Sequence, residues 1–409
     1  MRYGLLGERL SHSFSPQIHS LLGAYEYQLY EKAPEDLEDF FLKNFRLNGI
    51  NVTIPYKQTV IKFCNQLSES ARAIGSVNTI IRRPDGTLYG DNTDFYGITF
   101  LLEMAGVKPS EGKTVILGSG GSSLTTQAAL RAMGGEVIVV SRSGEDNYSN
   151  LDKHRDAKYL INTTPVGMYP NNGESPITKT DFENFKNMQV VVDLIYNPAL
   201  TELMLQAEER NIPVYGGLAM LVAQAKRASE LFTGKAILDK IINQIINTIE
   251  RQTKNIVLIG MPGCGKTSIG TKLAEITKRQ FVDSDEAIIK AAGKPIPEIF
   301  RDDGEEVFRT IERSVLKELC KKSSLIIATG GGVVTGSENY NTIRQNSTIV
   351  FLDRDITQLS TEGRPLSVQS GVEVLAKERL PIYQKWADCT VPVQGIDKTA
   401  ALIIEKVDI

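Results

Sequence analysis

The sequence predicts an α/β protein. An N-terminal α/β domain is followed by a Rossmann-like parallel-sheet domain, and then by a second parallel-sheet domain of phosphate-loop type. Three observations carry this. Gly260-Met-Pro-Gly-Cys-Gly-Lys-Thr267 fits the pattern G-x-x-x-x-G-K-[ST]. It lies between an apolar, β-branched run, Asn255–Ile259, and a segment with Ile269, Leu273 and Ile276 at helical spacing. Earlier, Thr114–Leu117 and Glu136–Arg142 read as buried strands around the turn Gly118-Ser-Gly-Gly-Ser-Ser123 and a helix closed by Gly134-Gly135. Finally, 409 residues exceed what one core usually supports.

Composition narrows the partners. The formal net charge is -3 and 23% of residues are charged, which suits small-molecule substrates and not a nucleic-acid surface. Cys64, Cys264, Cys320 and Cys389 lie far apart without metal-ligand spacing, so reduced thiols in a cytoplasmic protein are expected. The N-terminus lacks a signal-peptide core, and no run is long and apolar enough to span a membrane. The expected assembly is a monomer or homodimer.

In chain order, Tyr3–Gly7 reads as a strand ending in a turn. Ser11-His-Ser-Phe-Ser-Pro16 leads into a helix from about Gln17. Ser15 is the expected N-cap, with Pro16 at the first helical position, which leaves Ser13 as a hydroxyl for a polar ligand. His12 and His19 are read as packing residues and not as catalysts. Gly49–Lys57 is a strand with Asn51 and Thr53 on one face, ended by Pro55. Lys57 then falls at a helix start, where the dipole disfavours a cation; it is either solvated or placed for chemistry. Val77–Asn92 reads as a hairpin turning at Asp85-Gly86. It brings Asn78 and Thr79 to the same end as Asn92 and Asp94, suggesting a polar pocket. Asp94 either lines that pocket or caps the next helix.

The strand after the glycine-rich turn ends in Ser141-Arg142-Ser143. A cation and two hydroxyls there suit the 2′-phosphate of NADP, where an NAD site would place an acid. Residues 144–159 are too short for a full crossover helix plus strand. Tyr159–Ile161 and Val190–Tyr196 read as further strands, and helices over Met220–Phe232 and Lys235–Glu250 close this half.

A short linker, 251–254, precedes the last domain, 255–409. Its loop amides and helix dipole are placed to hold phosphate, with Lys266 reaching the β- and γ-phosphates and Thr267 holding Mg²⁺. Phe281–Asp285 is read as a strand end with Asp283 and Asp285 on one side, one for Mg²⁺ and the other for an acceptor hydroxyl. Phe300–Glu312 reads as one helical run, with Arg309 and Glu312 spaced as a surface ion pair. Leu325–Ala328 is a strand opening into Gly330-Gly-Gly332, and Thr348–Leu352 is a further strand. Arg364 lies in a polar loop, and Arg379 and Tyr383 fall one turn apart on a helix.

These motifs, in this order, resemble shikimate dehydrogenase over roughly residues 1–250. The resemblance implies a substrate domain over 1–106, completed by helices at about 226–250, and an NADP domain over 107–225. It implies that Ser13 and Ser15 bind a carboxylate and that Asn51, Thr53, Asn78, Tyr196 and Gln224 complete the substrate set. It also implies that Lys57 and Asp94 work as a pair at the reacting hydroxyl. Gly118, Gly120, Gly121, Ser122, Ser141, Arg142 and Gly217 would then hold NADP. Residues 255–409 resemble shikimate kinase, of nucleoside-monophosphate-kinase-like fold. By that resemblance Gly260, Gly263, Cys264, Gly265, Lys266, Thr267, Ser268 and Arg364 bind ATP. Asp285, Arg309, Gly331, Gly332 and Arg379 bind the acceptor, and Lys266, Asp285 and Arg364 serve catalysis. Mg²⁺ then falls to Thr267 and Asp283. Together the resemblances imply NADPH-dependent reduction of 3-dehydroshikimate to shikimate, followed by its MgATP-dependent phosphorylation. The rival readings are quinate oxidation with NAD in the first half, or a non-catalytic first half regulating the kinase.

Overall fold

The computed structural model describes residues 1–10, 13–42, 46–359 and 371–409. The chain forms two compact units. One comprises Met1–Val166, Ser175–Tyr196 and Gln206–Thr248; the other comprises Gly167–Glu174, Asn197–Leu205 and Ile249–Ile409.

The first unit holds two sheets. The first contains β1 (Arg2–Gly7), β2 (Glu26–Glu31), β3 (Gly49–Val52), β4 (Gln66–Leu67), β5 (Thr79–Arg82) and β6 (Leu88–Asp91), in the order β2-β1-β3-β5-β6-β4. The expected hairpin is present, antiparallel, with Thr79 opposite Asp91 and a left-handed Gly86 at its tip. The second sheet contains β7 (Thr114–Leu117), β8 (Val137–Val140), β9 (Tyr159–Asn162), β10 (Val190–Asp193) and β11 (Val214–Gly216), in the order β11-β10-β9-β7-β8. All its pairs are parallel. A 3₁₀ helix over Tyr148–His154 stands in the short crossover before β9.

Helices Thr93–Met104 and Leu218–Thr233 cross closely in this unit. A Cβ on Gly97 would stand 2.6 Å from the Met220 carbonyl oxygen and 2.9 Å from Gln224 Cβ. Below the crossing, Ile98, Leu101 and Leu102 pack with Ile116, Ile161 and Val192 in one apolar core. That packing joins the helix bearing Asp94 to the cofactor-type sheet.

The second unit is one parallel sheet: β12 (Asn255–Ile259), β13 (Gln280–Asp283), β14 (Leu325–Ala328), β15 (Ser347–Asp353) and β16 (Cys389–Pro392), in the order β13-β14-β12-β15-β16. Every residue of the central strand β12 is buried, as its unbroken apolar run requires. The phosphate-loop motif follows this strand directly.

Several local expectations are corrected. Ser15 is the first helical residue and Phe14 occupies the N-cap; the Ser13 hydroxyl accepts from the Ser15 backbone N–H. Lys57 lies in a turn ahead of a 3₁₀ helix over Thr59–Phe63, not at an α-helix start. Asn92, not Asp94, caps the Thr93–Met104 helix, accepting from the Phe95 N–H. β13 ends at Asp283, so Asp285 stands in the first turn of the Ser284–Ala292 helix. The run Phe300–Glu312 is broken at Gly304, whose φ of 86° separates helices Ile296–Asp302 and Glu305–Cys320. Residues 251–253 are helical, within Lys240–Thr253. His12 and Arg364 lie outside the described residues. Among the described residues, no helix is long and apolar enough to cross a membrane.

Candidate active sites

In the first unit, Asn51, Asn78, Thr79 and Gln224, among the polar residues singled out in the sequence, join one connected network. Tyr27 Oη donates to Asn51 Oδ1 at 2.8 Å, and Asn51 Nδ2 donates to Thr79 Oγ1 at 2.9 Å. Thr79 Oγ1 donates to Asn78 Oδ1 at 3.2 Å, and that oxygen also takes the Thr93 N–H at 2.7 Å. Asn78 Nδ2 donates to Gln224 Oε1 at 3.3 Å. These bonds fix the orientation of each amide, and they turn the Gln224 Nε2 donor away from the network.

Lys57 Nζ donates to Asp94 Oδ2 at 2.6 Å, with 28% and 14% of the two side chains exposed. A partly exposed charge-assisted bond beside this polar network is a suitable place to hold or move a proton. His19 is buried behind the network, stacked on Tyr27 at 3.9 Å between centroids, with Nδ1 2.6 Å from Tyr25 Oη. Burial pushes its pKa down to about 3, so it stays neutral, as a packing residue should. Ser13, Thr53 and Tyr196 are partly exposed, Ser15 is buried, and the Phe14 and Tyr196 rings lie 5.6 Å apart.

The cofactor-type turn has the geometry its glycines require. Gly118 has φ 102°, and a Cβ there would meet Thr163 Oγ1 and Thr164 Cγ2, each at 2.9 Å. Gly120 caps the Gly121–Ala132 helix, and a Cβ on Gly120 or Gly121 would meet nothing within 4 Å, which leaves room for a ligand against that terminus. Ser123, where the usual fingerprint has a third glycine, is fully buried. Gly217 caps the Leu218–Thr233 helix; a Cβ there would stand 2.0 Å from Leu194 O, so no side chain fits. Arg142 is exposed beside Ser141, while the nearby Asp146 is held by His154 Nε2 at 2.8 Å. Among the described residues no ion pair joins that acid to Arg142.

In the second unit, three successive glycines gather the site. A Cβ on Gly330 would stand 2.7 Å from Asp285 Oδ1, one on Gly331 2.6 Å from Pro262 Cγ, and one on Gly332 2.9 Å from Arg309 Nη1. The bare backbone thus lets the acid, the phosphate loop and an arginine approach together. Gly260, Gly263 and Gly265 all have positive φ, and Lys266 Nζ donates to the Gly260 and Met261 carbonyls at 2.8 and 3.0 Å. Thr267 and Ser268 are exposed at the helix start, while the Cys264 side chain is buried in the core beneath the loop.

Thr267 Oγ1 donates to Asp283 Oδ2 at 2.7 Å, a hydroxyl and a carboxylate of the kind Mg²⁺ takes alongside nucleotide phosphates. Among the described residues no group of three or more His, Cys, Asp or Glu side chains could enclose a metal alone. Burial raises the Asp285 pKa to about 6, helped by the charge of Asp283 and opposed by Lys266. Arg309 pairs with Glu312 at 2.9 Å, but Glu312 is 1% exposed, so this is a buried pair and not the expected surface one. Arg379 donates to the Gly331 carbonyl at 3.2 Å, beside a bond from Tyr383 Oη to the same oxygen.

The sequence reading missed Tyr27, Thr93 and Ser284, whose Oγ accepts from the Gly330 N–H at 3.1 Å. Thr93 and Ser284 directly adjoin motif residues, and that adjacency was the available signal. Tyr27 offered none, because only strand pairing brings it to Asn51.

Comparison with known proteins agrees with both halves. The family model for the shikimate dehydrogenase substrate binding domain matches residues 5–80, and that for shikimate kinase matches residues 262–407. Shikimate dehydrogenase (NADP(+)) of Clostridium beijerinckii is 35% identical over 273 residues, covering 62% of this chain and 99% of the relative. The structure of a chorismate mutase/shikimate 5-dehydrogenase fusion protein from Clostridium acetobutylicum superposes with TM-score 0.57 at 35% identity, covering 61% of this chain and 97% of that one. Shikimate 5-dehydrogenase from Thermus thermophilus, solved in complex with NADP(H) and shikimate, superposes with TM-score 0.55 at 29% identity, covering 61% and 99%. The chain belongs to the shikimate dehydrogenase family and carries a shikimate kinase domain C-terminal to it, which makes it a bifunctional enzyme of the shikimate pathway.

Proposed function

We propose that the first unit reduces 3-dehydroshikimate to shikimate with NADPH and that the second phosphorylates shikimate at its 3-hydroxyl with MgATP. The observation that carries the first assignment is the Lys57–Asp94 pair, 2.6 Å apart beside the Asn51–Asn78–Gln224 network. The nicotinamide, when bound, supplies the hydride. Lys57 Nζ gives a proton to the oxygen that was the substrate carbonyl, and Asp94 holds the ammonium in place through its 2.6 Å bond. Asn78 and Gln224 hold ring hydroxyls through donors that the network has already oriented. Ser13 and Ser15 take the carboxylate, near the Phe14–Tyr196 ring pair. Arg142 takes the 2′-phosphate, and its freedom from Asp146 supports NADP over NAD.

In the second unit Asp285 accepts the proton of the shikimate hydroxyl, and a pKa near 6 suits a base working at neutral pH. Arg309 and Arg379 clamp the acceptor carboxylate, Thr267 and Asp283 hold Mg²⁺, and Lys266 exchanges its two carbonyl partners for phosphate oxygens. Arg364 completes this proposed set from outside the described residues.

Product identification tests the reading. With 3-dehydroshikimate and NADPH alone, the full chain is expected to form shikimate. Arg142→Ala is expected to raise KM for NADPH about 10-fold or more, with little change for NADH. Oxidation of quinate with NAD⁺ at a rate exceeding that of shikimate with NADP⁺ would overturn the assignment.

A further inference from the structure

Arg354 is absent from every motif described above, yet it stands at the phosphate loop. It directly follows β15, which pairs in parallel with β12, Phe351 opposite Ile259, so the chain leaves both strands at the same sheet edge. The contact there is close: a Cβ on Gly260 would stand 2.8 Å from the Leu352 carbonyl oxygen. Arg354 Nη1 lies 4.0 Å from the position a Cβ on Gly265 would take. Gly265 is the N-cap of the Lys266–Thr277 helix, with φ 105°.

Among the described residues no carboxylate pairs with the guanidinium. Arg354 Nε is buried without a hydrogen-bond partner, and no ion pair involves Arg354 among the described residues. The adjacent Asp355 carboxylate is turned to its own chain, accepting from Thr357 N–H at 2.9 Å and Thr357 Oγ1 at 2.7 Å. An arginine so placed lies in a field of its own sign, at the positive end of the helix that Lys266 begins. Partial burial without a carboxylate adds a desolvation cost. An anion on the loop reverses both effects, and a planar guanidinium can bond two phosphate oxygens at once.

We propose that Arg354 is a phosphate-binding residue of the nucleotide site, contacting a nucleoside di- or triphosphate on the loop from a strand end. The proposal rests on the kinase reading of the second unit. Its test uses the purified full chain, with MgADP binding measured by calorimetry for the parent, Arg354→Lys, Arg354→Met and Arg354→Gln. MgADP affinity is expected to fall about 10- to 100-fold in the Met and Gln variants, with Lys intermediate. KM for ATP should rise in step, while KM for shikimate and the rate of NADPH oxidation stay at parental values. A role in packing alone would leave Arg354→Met near parental, because the alkyl stem is kept; parental MgADP affinity and KM for ATP in that variant overturn the proposal while the kinase reading stands. Arg354-dependent MgADP binding in a parent that forms no shikimate 3-phosphate sinks the kinase reading and leaves the phosphate contact. A parent that binds no MgADP overturns both.

Discussion

The two sites hold their polar groups in contrasting ways. In the dehydrogenase unit, neutral amides and hydroxyls bond to one another, from Tyr27 through Asn51, Thr79 and Asn78 to Gln224. The network is already ordered, and only a few donors are left for a ligand. In the kinase unit the glycine backbone does the shaping, and the charged groups are incompletely answered: among the described residues Arg379 Nε and Arg354 Nε are buried without hydrogen-bond partners, and Lys266 rests on two carbonyls. A network of neutral groups suits a polyhydroxylated ring, whereas a cationic shell with spare donors suits phosphate. Disturbing the first should cost substrate recognition through lost orientation; disturbing the second should cost nucleotide binding through lost charge or backbone access.

The largest effects should come from the two lysines, and they should separate cleanly. Lys57→Ala is expected to lower kcat for 3-dehydroshikimate reduction about 10³-fold with KM for NADPH little changed, leaving shikimate-dependent ADP formation intact. Lys266→Ala should do the reverse, lowering kcat/KM of the kinase by a similar factor of about 10³ without touching NADPH oxidation. Steady-state rates of both reactions on each variant check this. If either lysine variant lowers both activities equally, the comparison breaks.

Gly331→Ala comes next, because its Cβ would stand 2.6 Å from Pro262 Cγ and 3.0 Å from Pro262 N. The loop must shift by several tenths of an ångström, and kinase kcat/KM should fall about 10- to 100-fold with the dehydrogenase unaffected. Tyr27→Phe removes the donor to Asn51 Oδ1 and leaves a buried acceptor short of a bond. KM for 3-dehydroshikimate should rise about 5- to 10-fold, an effect of roughly 1–1.5 kcal/mol, with KM for NADPH unchanged. An unchanged Michaelis constant there would mean that Asn51 is held by Thr79 alone.

A further effect is on stability, and its sign follows from Asp285. Its folded pKa of about 6 lies above the usual carboxylate value, so folding favours the protonated form. Above about pH 6 the buried charge opposes folding, and this cost fades as pH falls from 6 toward 4. Asp285→Asn should therefore stabilise the kinase unit by about 1–3 kcal/mol at pH 8 and by almost nothing at pH 4, while abolishing kinase turnover. Thermal melting of parent and variant at the two pH values reads this directly. A destabilised variant at pH 8 would show that the carboxylate is well paired and not merely desolvated.

The same contrast explains what could be read before the fold was seen. The phosphate loop was legible because its work is done by contiguous backbone: glycines that adopt positive φ between a buried strand and a helix leave a local signature. The dehydrogenase pocket draws on Tyr27, Asn51, Asn78 and Gln224, nearly 200 positions apart, and only the sheet order and the close crossing at Gly97 bring them together. Periodicity found most strands but misplaced some of their ends, and it did not find β2, β4, β11 or β16. Strand alternation was carried past Asp283, although its side chain caps a helix by accepting from the Asp285 N–H at 2.9 Å. Ser15 met the composition of an N-cap, yet the helix begins one residue earlier, and its hydroxyl is turned toward Tyr27 instead. Arg354 belongs to no local pattern; strand pairing alone sets it at the loop.

The most direct measurement is a coupled assay on the purified full chain. It supplies 3-dehydroshikimate, NADPH and MgATP, and follows NADPH loss and ADP formation together. The account predicts that ADP appears only after NADPH is consumed, approaches one ADP per NADPH, and is accompanied by shikimate 3-phosphate. ADP formed from 3-dehydroshikimate without NADPH, or NADPH consumed with no ADP following, would contradict consecutive action of the two units.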